Sequence, residues 1–163
     1  MCIRDSTHTD LKLSNDQRAQ LNTIWRRLKA WDDAPEAIER LRSRFTVVPL
    51  TVLSWSIGVN CSKHNGISWD GLLSCEFLRQ YKPDAGAYLH AAELLDTDPS
   101  QIMMCAAHTR DLRSAMEAGF KSAFIYRAGE KSLETMTEEP TVPLETFDFA
   151  ATDFKDLANQ LLN

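Results

Sequence analysis

Apolar positions follow two rhythms along this chain. Between residues 14 and 29 they recur at helical spacing, with Leu21, Ile24, Trp25 and Leu28 on one face. Ser14 and Gln17 form a capping box at the start of that stretch. A helix over 14–29 is predicted, its apolar face and tryptophan turned inward. A second helix begins near Pro35, a good first-turn residue, and carries Ile38, Leu41 and Phe45 toward the core. The rhythm then changes: 46–53 is nearly continuous in β-branched and apolar residues. Such a run suits a strand buried on both faces, although Pro49 withholds one ladder donor. Residues 54–66 are polar and glycine-bearing, the composition of a loop with a short helix.

Further along, the pattern predicts a brief strand at 72–74 and a helix over 85–95 introduced by Pro83 and Asp84. A strand at 102–106 and a helix at 111–118 follow, the helix stopped by Gly119. Then come a strand at 122–126, an acidic, proline-bearing surface loop at 129–143, an edge strand at 147–151 and a terminal helix at 153–162. Strands alternating with helices predict an α/β fold with a parallel sheet covered on both faces. No internal repeat or low-complexity segment interrupts it.

Composition narrows the function. A length of 163 residues suffices for one domain with a real core, and 44% hydrophobic with 25% charged residues is ordinary for a globular protein. A net charge of -5 and the lack of a basic stripe argue against a nucleic-acid partner. Arg26, Arg27 and Lys29, like Arg40, Arg42 and Arg44, read as solvated helix faces. Small-molecule work fits better. The 4 cysteines have no CxxC spacing, so zinc is disfavoured, and Cys105 reads as a small core residue. A reducing cytoplasm is the natural setting. No apolar run is long enough for a membrane span, and no signal-peptide core follows Met1. Residues 1–6 read as a leader outside the fold.

Three strand ends carry polar groups in order: Ser54 after the first, Lys82 beyond the second, and His108 and Asp111 after the third. Ligands of open α/β sheets bind at the carboxyl ends of strands. A hydroxyl, an ammonium and a carboxylate converging there would bind and activate an anionic substrate. A plainer reading also stands: Thr109 or His108 caps the helix and Asp111 complements its dipole.

Leu53-Ser54, Tyr81-Lys82-Pro83-Asp84 with Tyr88, and Ala106-Ala107-His108 through Asp111 with Ala115 and Gly119 together resemble the haloacid dehalogenase (HAD) superfamily, in its 2-haloacid dehalogenase branch. Trp31-Asp32-Asp33-Ala34 is similar to the segment returning from that family's cap to its core. The similarity runs over about 21–127, with a weaker tail to 162. It implies a Rossmann-like core and hydrolytic carbon–halogen cleavage through an aspartyl ester that water then opens. On this resemblance Ser54, Lys82 and Asp111 are catalytic, and Trp55, Tyr88 and His108 bind substrate. That substrate would be a small anion such as a 2-haloacid. Trp55 stands where the family commonly has asparagine. Ala107 stands where phosphatase members place a magnesium-binding acid, which favours metal-free chemistry with no cofactor.

The family's nucleophile ends an apolar first strand, and nothing before Asp33 has that form. Leu94-Leu95-Asp96-Thr97-Asp98 imitates the motif but reads as a turn and cap before Pro99. The expected organisation is an unstructured leader at 1–13, a remnant of a cap helix at 14–31 and a partial core at 32–163, lacking the nucleophile strand and most of the cap. Such a chain is expected to be inactive alone, with exposed strand edges that promote aggregation or pairing into a homodimer. The alternatives are a non-catalytic HAD-like module binding a small anion or a protein, and a HAD phosphatase, which Ala107 disfavours.

Overall fold

The computed structural model describes residues 13–127 and 144–163. The expected surface loop at 129–143 and nearly all of the expected leader lie outside those residues. The described chain alternates strands and helices as the apolar pattern predicts. β3 (Met103–Ala106), β4 (Lys121–Ile125) and β5 (Phe149–Ala151) form one parallel sheet in that order, and β1 (Leu50–Thr51) pairs in parallel with β2 (Leu73–Ser74).

The side-chain alternation of β3 explains why its sheet is covered on both faces. Ile102 and Met104 pack toward Tyr88 and Ala92 of α5 (Ala85–Leu94) and Ala115 of α6 (Thr109–Glu117). Met103 and Cys105 pack instead with Ala123, Ile125 and Leu157, the last on α7 (Phe154–Leu162). α2 (Ala34–Arg42) buries Ala37 and Leu41 against Ala158 of α7. Phe45, expected inward, is exposed because α2 ends at Arg42 and its buried stripe ends at Leu41.

Other expectations need correction. α1 (Asn15–Ile24) starts at the capping box: the Gln17 N–H donates to Ser14 Oγ at 3.2 Å and the Ser14 N–H to Gln17 Oε1 at 2.9 Å. The helix then tightens into a 3-10 turn at Trp25–Arg27 and ends. Its stripe is not core: Leu21, Ile24 and Leu28 are exposed and Trp25 is half-buried. The turn, not the stripe, packs on α3 (Trp55–His64), where Cys61 Sγ donates to the Trp25 carbonyl.

The run at 46–53 yields only the two-residue β1, half-buried. Pro49 has no N–H to give, and β1 has a strand neighbour on one edge alone among the described residues. The polar stretch expected to be mostly loop is largely α3. There Gly58 permits close packing, since a Cβ at that position would lie 2.8 Å from Leu72 Cδ1.

Several punctuation marks fall where the sequence puts them. Asp84 caps α5 by accepting the Gly86 N–H at 2.8 Å. Gly119 follows α6 with φ +94°, a conformation that suits glycine. Asp96 to Asp98 form a turn, and Asp98 accepts the Ser100 N–H at the start of the 3-10 turn Pro99–Gln101. A cavity of about 840 Å³ lies between the two sheets, lined by Val48 and Leu50 on one side and Met103 and Cys105 on the other.

Candidate active site

Lys82 lies beyond β2 and the short helix α4 (Cys75–Leu78); Asp111 lies in the first turn of α6, just past the carboxyl end of β3. The fold brings them together: Lys82 Nζ is 2.7 Å from Asp111 Oδ2, with the two side chains only 16% and 18% exposed. From α5, the Tyr88 hydroxyl donates to the other carboxylate oxygen, Asp111 Oδ1, at 2.5 Å. Both Asp111 oxygens are therefore engaged. Each bond fixes the carboxylate, which in turn fixes the ammonium, leaving Lys82 N–H groups for an incoming anion.

Tyr88 is fully buried. Burial first, then its hydrogen bond to the Asp111 carboxylate, pushes the phenol well above its ordinary pKa. It acts as a neutral donor that orients Asp111. Part of the plainer reading of this helix start holds: Asp111 stands in the first turn, where its charge complements the helix dipole. His108 stands at the N-cap position, where its side chain makes no capping hydrogen bond. Asp111 spends its oxygens on Lys82 and Tyr88.

The remaining predicted residues lie at the carboxyl ends of β1 and β3. Ser54 follows β1 at the N-cap of α3, its Oγ 3.5 Å from Ser56 Oγ; among the described residues it makes no hydrogen bond to Lys82 or Asp111. Trp55 is 45% exposed, tilted against Phe77 with ring centroids 6.3 Å apart, and its backbone N–H donates to Glu76 Oε2. His108 is exposed at the carboxyl end of β3. Among the described residues, no group of three or more His, Cys, Asp or Glu is placed to hold a metal ion, and no helix is long and apolar enough to cross a membrane.

Sequence reasoning missed two features. Ser74 is fully buried and donates to the Leu53 carbonyl at 2.7 Å, tying β2 to the end of β1 beside Ser54. The second is a charged clamp at the carboxyl end of β4. Arg127 donates from both terminal nitrogens to Asp33, at 2.8 and 2.9 Å, and Asp33 also accepts the Phe154 N–H at 2.7 Å. The guanidinium lies 4.9 Å from the Trp31 ring centroid and 5.3 Å from that of Phe154. Burial works against the Asp33 charge, but Arg127 and the Phe154 N–H outweigh it and hold the carboxyl below its usual range. Trp31 and Asp33 belong to a segment the sequence had singled out; their partners lay beyond reach of local pattern.

No family model matches the chain. It is 30% identical over 139 residues to the (S)-2-haloacid dehalogenase of Pseudomonas sp. (strain YL), a match covering 82% of this chain and 58% of that one. Among solved structures, an L-2-haloacid dehalogenase superposes with a TM-score of 0.82 at 30% identity, over 98% of this chain and 67% of that chain. A defluorinating L-2-haloacid dehalogenase gives a TM-score of 0.84 at 31% identity, over 99% and 65%. Parallel core, strand-end ion pair and relatives agree: the chain belongs to the haloacid dehalogenase superfamily, in its 2-haloacid dehalogenase branch. It spans 49% of the length of a second curated relative, (S)-2-haloacid dehalogenase 4A of Burkholderia cepacia, and 58% of the Pseudomonas enzyme.

Proposed function

We propose that this chain carries the charge-holding part of a 2-haloacid dehalogenase site, one that hydrolyses a carbon–halogen bond through an aspartyl ester. The observation that carries the reading is the Lys82–Asp111–Tyr88 network at the carboxyl edge of the sheet. Lys82 would hold the carboxylate of the substrate and the charge of the attacking group. Asp111 would keep Lys82 in place and orient the hydrolytic water; Ser54 would donate to the substrate carboxylate. Trp55 and His108 would border the bound acid, and Tyr88 would serve it through Asp111.

The attacking aspartate is not among these 163 residues in the expected strand-end form, so the chain alone is expected to release no halide. Residues 14–31 would belong with the cap and 32–163 with the core, a division supported by the clamp at Asp33. Three free cysteines among the described residues suit a reducing cytoplasm.

Purified chain given (S)-2-chloropropionate should release halide only at the background rate. Turnover that depends on Ser54 and Lys82 would overturn that part. Grafted into the matched span of the Pseudomonas enzyme, the same residues should support halide release, and Lys82→Met in the graft should cut kcat by about 10²–10³. A graft indifferent to Lys82, or Mg²⁺-dependent hydrolysis of p-nitrophenyl phosphate by the chain, would sink the dehalogenase reading.

A further inference from the structure

The backbone around Ser54 is held in place group by group. The Leu53 N–H donates to Thr51 Oγ1 at 3.1 Å, and the Ser54 carbonyl accepts the Ile57 and Gly58 N–H groups of α3, both at 3.0 Å. The two peptide groups flanking the residue reach across to the next strand. The buried Ser74 hydroxyl donates to the Leu53 carbonyl at 2.7 Å, and Glu76 Oε2 accepts the Trp55 backbone N–H at 2.9 Å. Ser74 and Glu76 are themselves tied, since Ser74 Oγ accepts the Glu76 N–H at 3.2 Å. A closed brace thus straddles Ser54.

Strand pairing alone would not build it. The Leu73 N–H donates to the Pro49 carbonyl, so a parallel ladder run on by alternation would offer the Phe77 N–H to the Leu53 carbonyl. By then the chain has turned into α4, and the Ser74 hydroxyl supplies the missing donor. Glu76 does a second job at the start of α3. An N-cap serine ordinarily accepts a first-turn N–H with its own hydroxyl oxygen, as Ser14 does for α1 and Ser74 for α4. Ser54 is the N-cap of α3 and, among the described residues, makes no such bond. The Glu76 carboxylate serves that helix start instead, accepting one N–H and placing negative charge at the positive end of the helix dipole. Ser54 Oγ is left with Ser56 Oγ at 3.5 Å, too long for a firm bond between hydroxyls.

We propose that Ser74 and Glu76 are positioning residues for Ser54: they fix its two flanking peptide groups and serve the start of α3, so that its hydroxyl is left to donate to the carboxylate of the bound acid. This role rests on the reading of Ser54 as a donor to that carboxylate. The same segment runs on through α4 to Lys82, so one stretch of backbone registers the hydroxyl against the ammonium. Neither Ser74 nor Glu76 needs to touch the acid to act. Loosening the brace lets the Ser54 hydroxyl turn inward to cap α3, an orientation that no longer suits the acid.

The test measures how tightly the whole 163-residue chain holds (S)-2-chloropropionate, read from amide shifts around Ser54 in NMR titrations. Ser54→Ala should weaken binding about tenfold, the worth of one hydrogen bond to a charged group. Ser74→Ala and Glu76→Ala should each weaken it about threefold to tenfold. Glu76→Gln keeps an oxygen for the Trp55 N–H and should bind within about twofold of the parent chain. In chains that already carry Ser54→Ala, the Ser74→Ala and Glu76→Ala changes should have no further effect, because they act only through the hydroxyl. A merely structural role would weaken both backgrounds alike. Glu76 is exposed, so its variants carry the comparison even where Ser74→Ala fails to fold. Full-strength binding by Glu76→Ala, an equal loss in both backgrounds, or a Glu76→Gln loss as large as that of Glu76→Ala overturns the brace and leaves Ser54 its role. Binding indifferent to Ser54→Ala, or no binding at all, overturns the reading of Ser54 and the brace with it.

Discussion

At the scale of single residues, Asp111 is the pivot, because one carboxylate holds a cation on one oxygen and a phenol on the other. Its two partners should not be worth the same. Asp111→Asn leaves the Lys82 ammonium partly buried without its counter-charge and should cost about 3 kcal/mol, the lower end for breaking a buried pair. Tyr88→Phe removes a donor but leaves the ion pair, and should cost about 1–2 kcal/mol. Urea unfolding of the two variants checks the order; a Tyr88→Phe loss equal to or larger than that of Asp111→Asn would show that Tyr88 acts through packing. Lys82 and Asp111 were legible in the sequence because each follows a strand end that local pattern places well, and Tyr88 only through the family resemblance. Ser74 was not, since a serine inside a short apolar run gives no local sign that its hydroxyl will reach the Leu53 carbonyl.

Between elements, the Asp33–Arg127 clamp does what no local signal announces, joining the start of α2, the end of β4 and the start of α7. Its pH dependence has a definite sign. Burial works against the Asp33 charge, but Arg127 and the Phe154 N–H outweigh it, so Asp33 ionises in the folded chain below the ordinary carboxylate value of 3.8. Its contribution to stability is therefore fully present above that value and is lost as pH falls through the lower folded one. Acid unfolding of the protein and of Asp33→Asn should accordingly converge below about pH 4 and differ by a constant amount near neutrality; curves that stay parallel through the acid range would show that the Asp33 charge contributes nothing. Arg127→Lys keeps the charge but loses the fork and the stacking on Trp31 and Phe154, so it should still cost about 1–3 kcal/mol in urea unfolding. Element existence was readable from apolar rhythm, whereas element burial was not. The stripe of α1 reads as a core face only if a neighbour covers it, and Leu21, Ile24 and Leu28 lie open. In the same way, 46–53 has the composition of a buried strand, but a strand's length depends on its partners, and β1 has one.

For the molecule as a whole, the sequence indicated a parallel α/β core, yet could not say whether its strands would close into one sheet or keep their distance. They keep it, and Cys105 reports on the space. Cys105 lines the cavity between the sheets while its side chain packs with Ala123 and Ile125. Burial pushes its thiol from 9.0 up to about 12. A raised pKa means a smaller thiolate fraction near neutrality than a free thiol carries, and the thiolate is the reactive form. Iodoacetamide labelling followed by peptide mapping should therefore find Cys105 modified more slowly than a free thiol. Modest urea should raise that rate early if opening of the cavity gives access, well before the α2–α7 layer unfolds. A rate that follows global unfolding alone would place β1, β3 and their helices in one cooperative unit. Rapid labelling in buffer would mean that the cavity between the two sheets stands open to water and that burial does not hold the Cys105 thiol protonated.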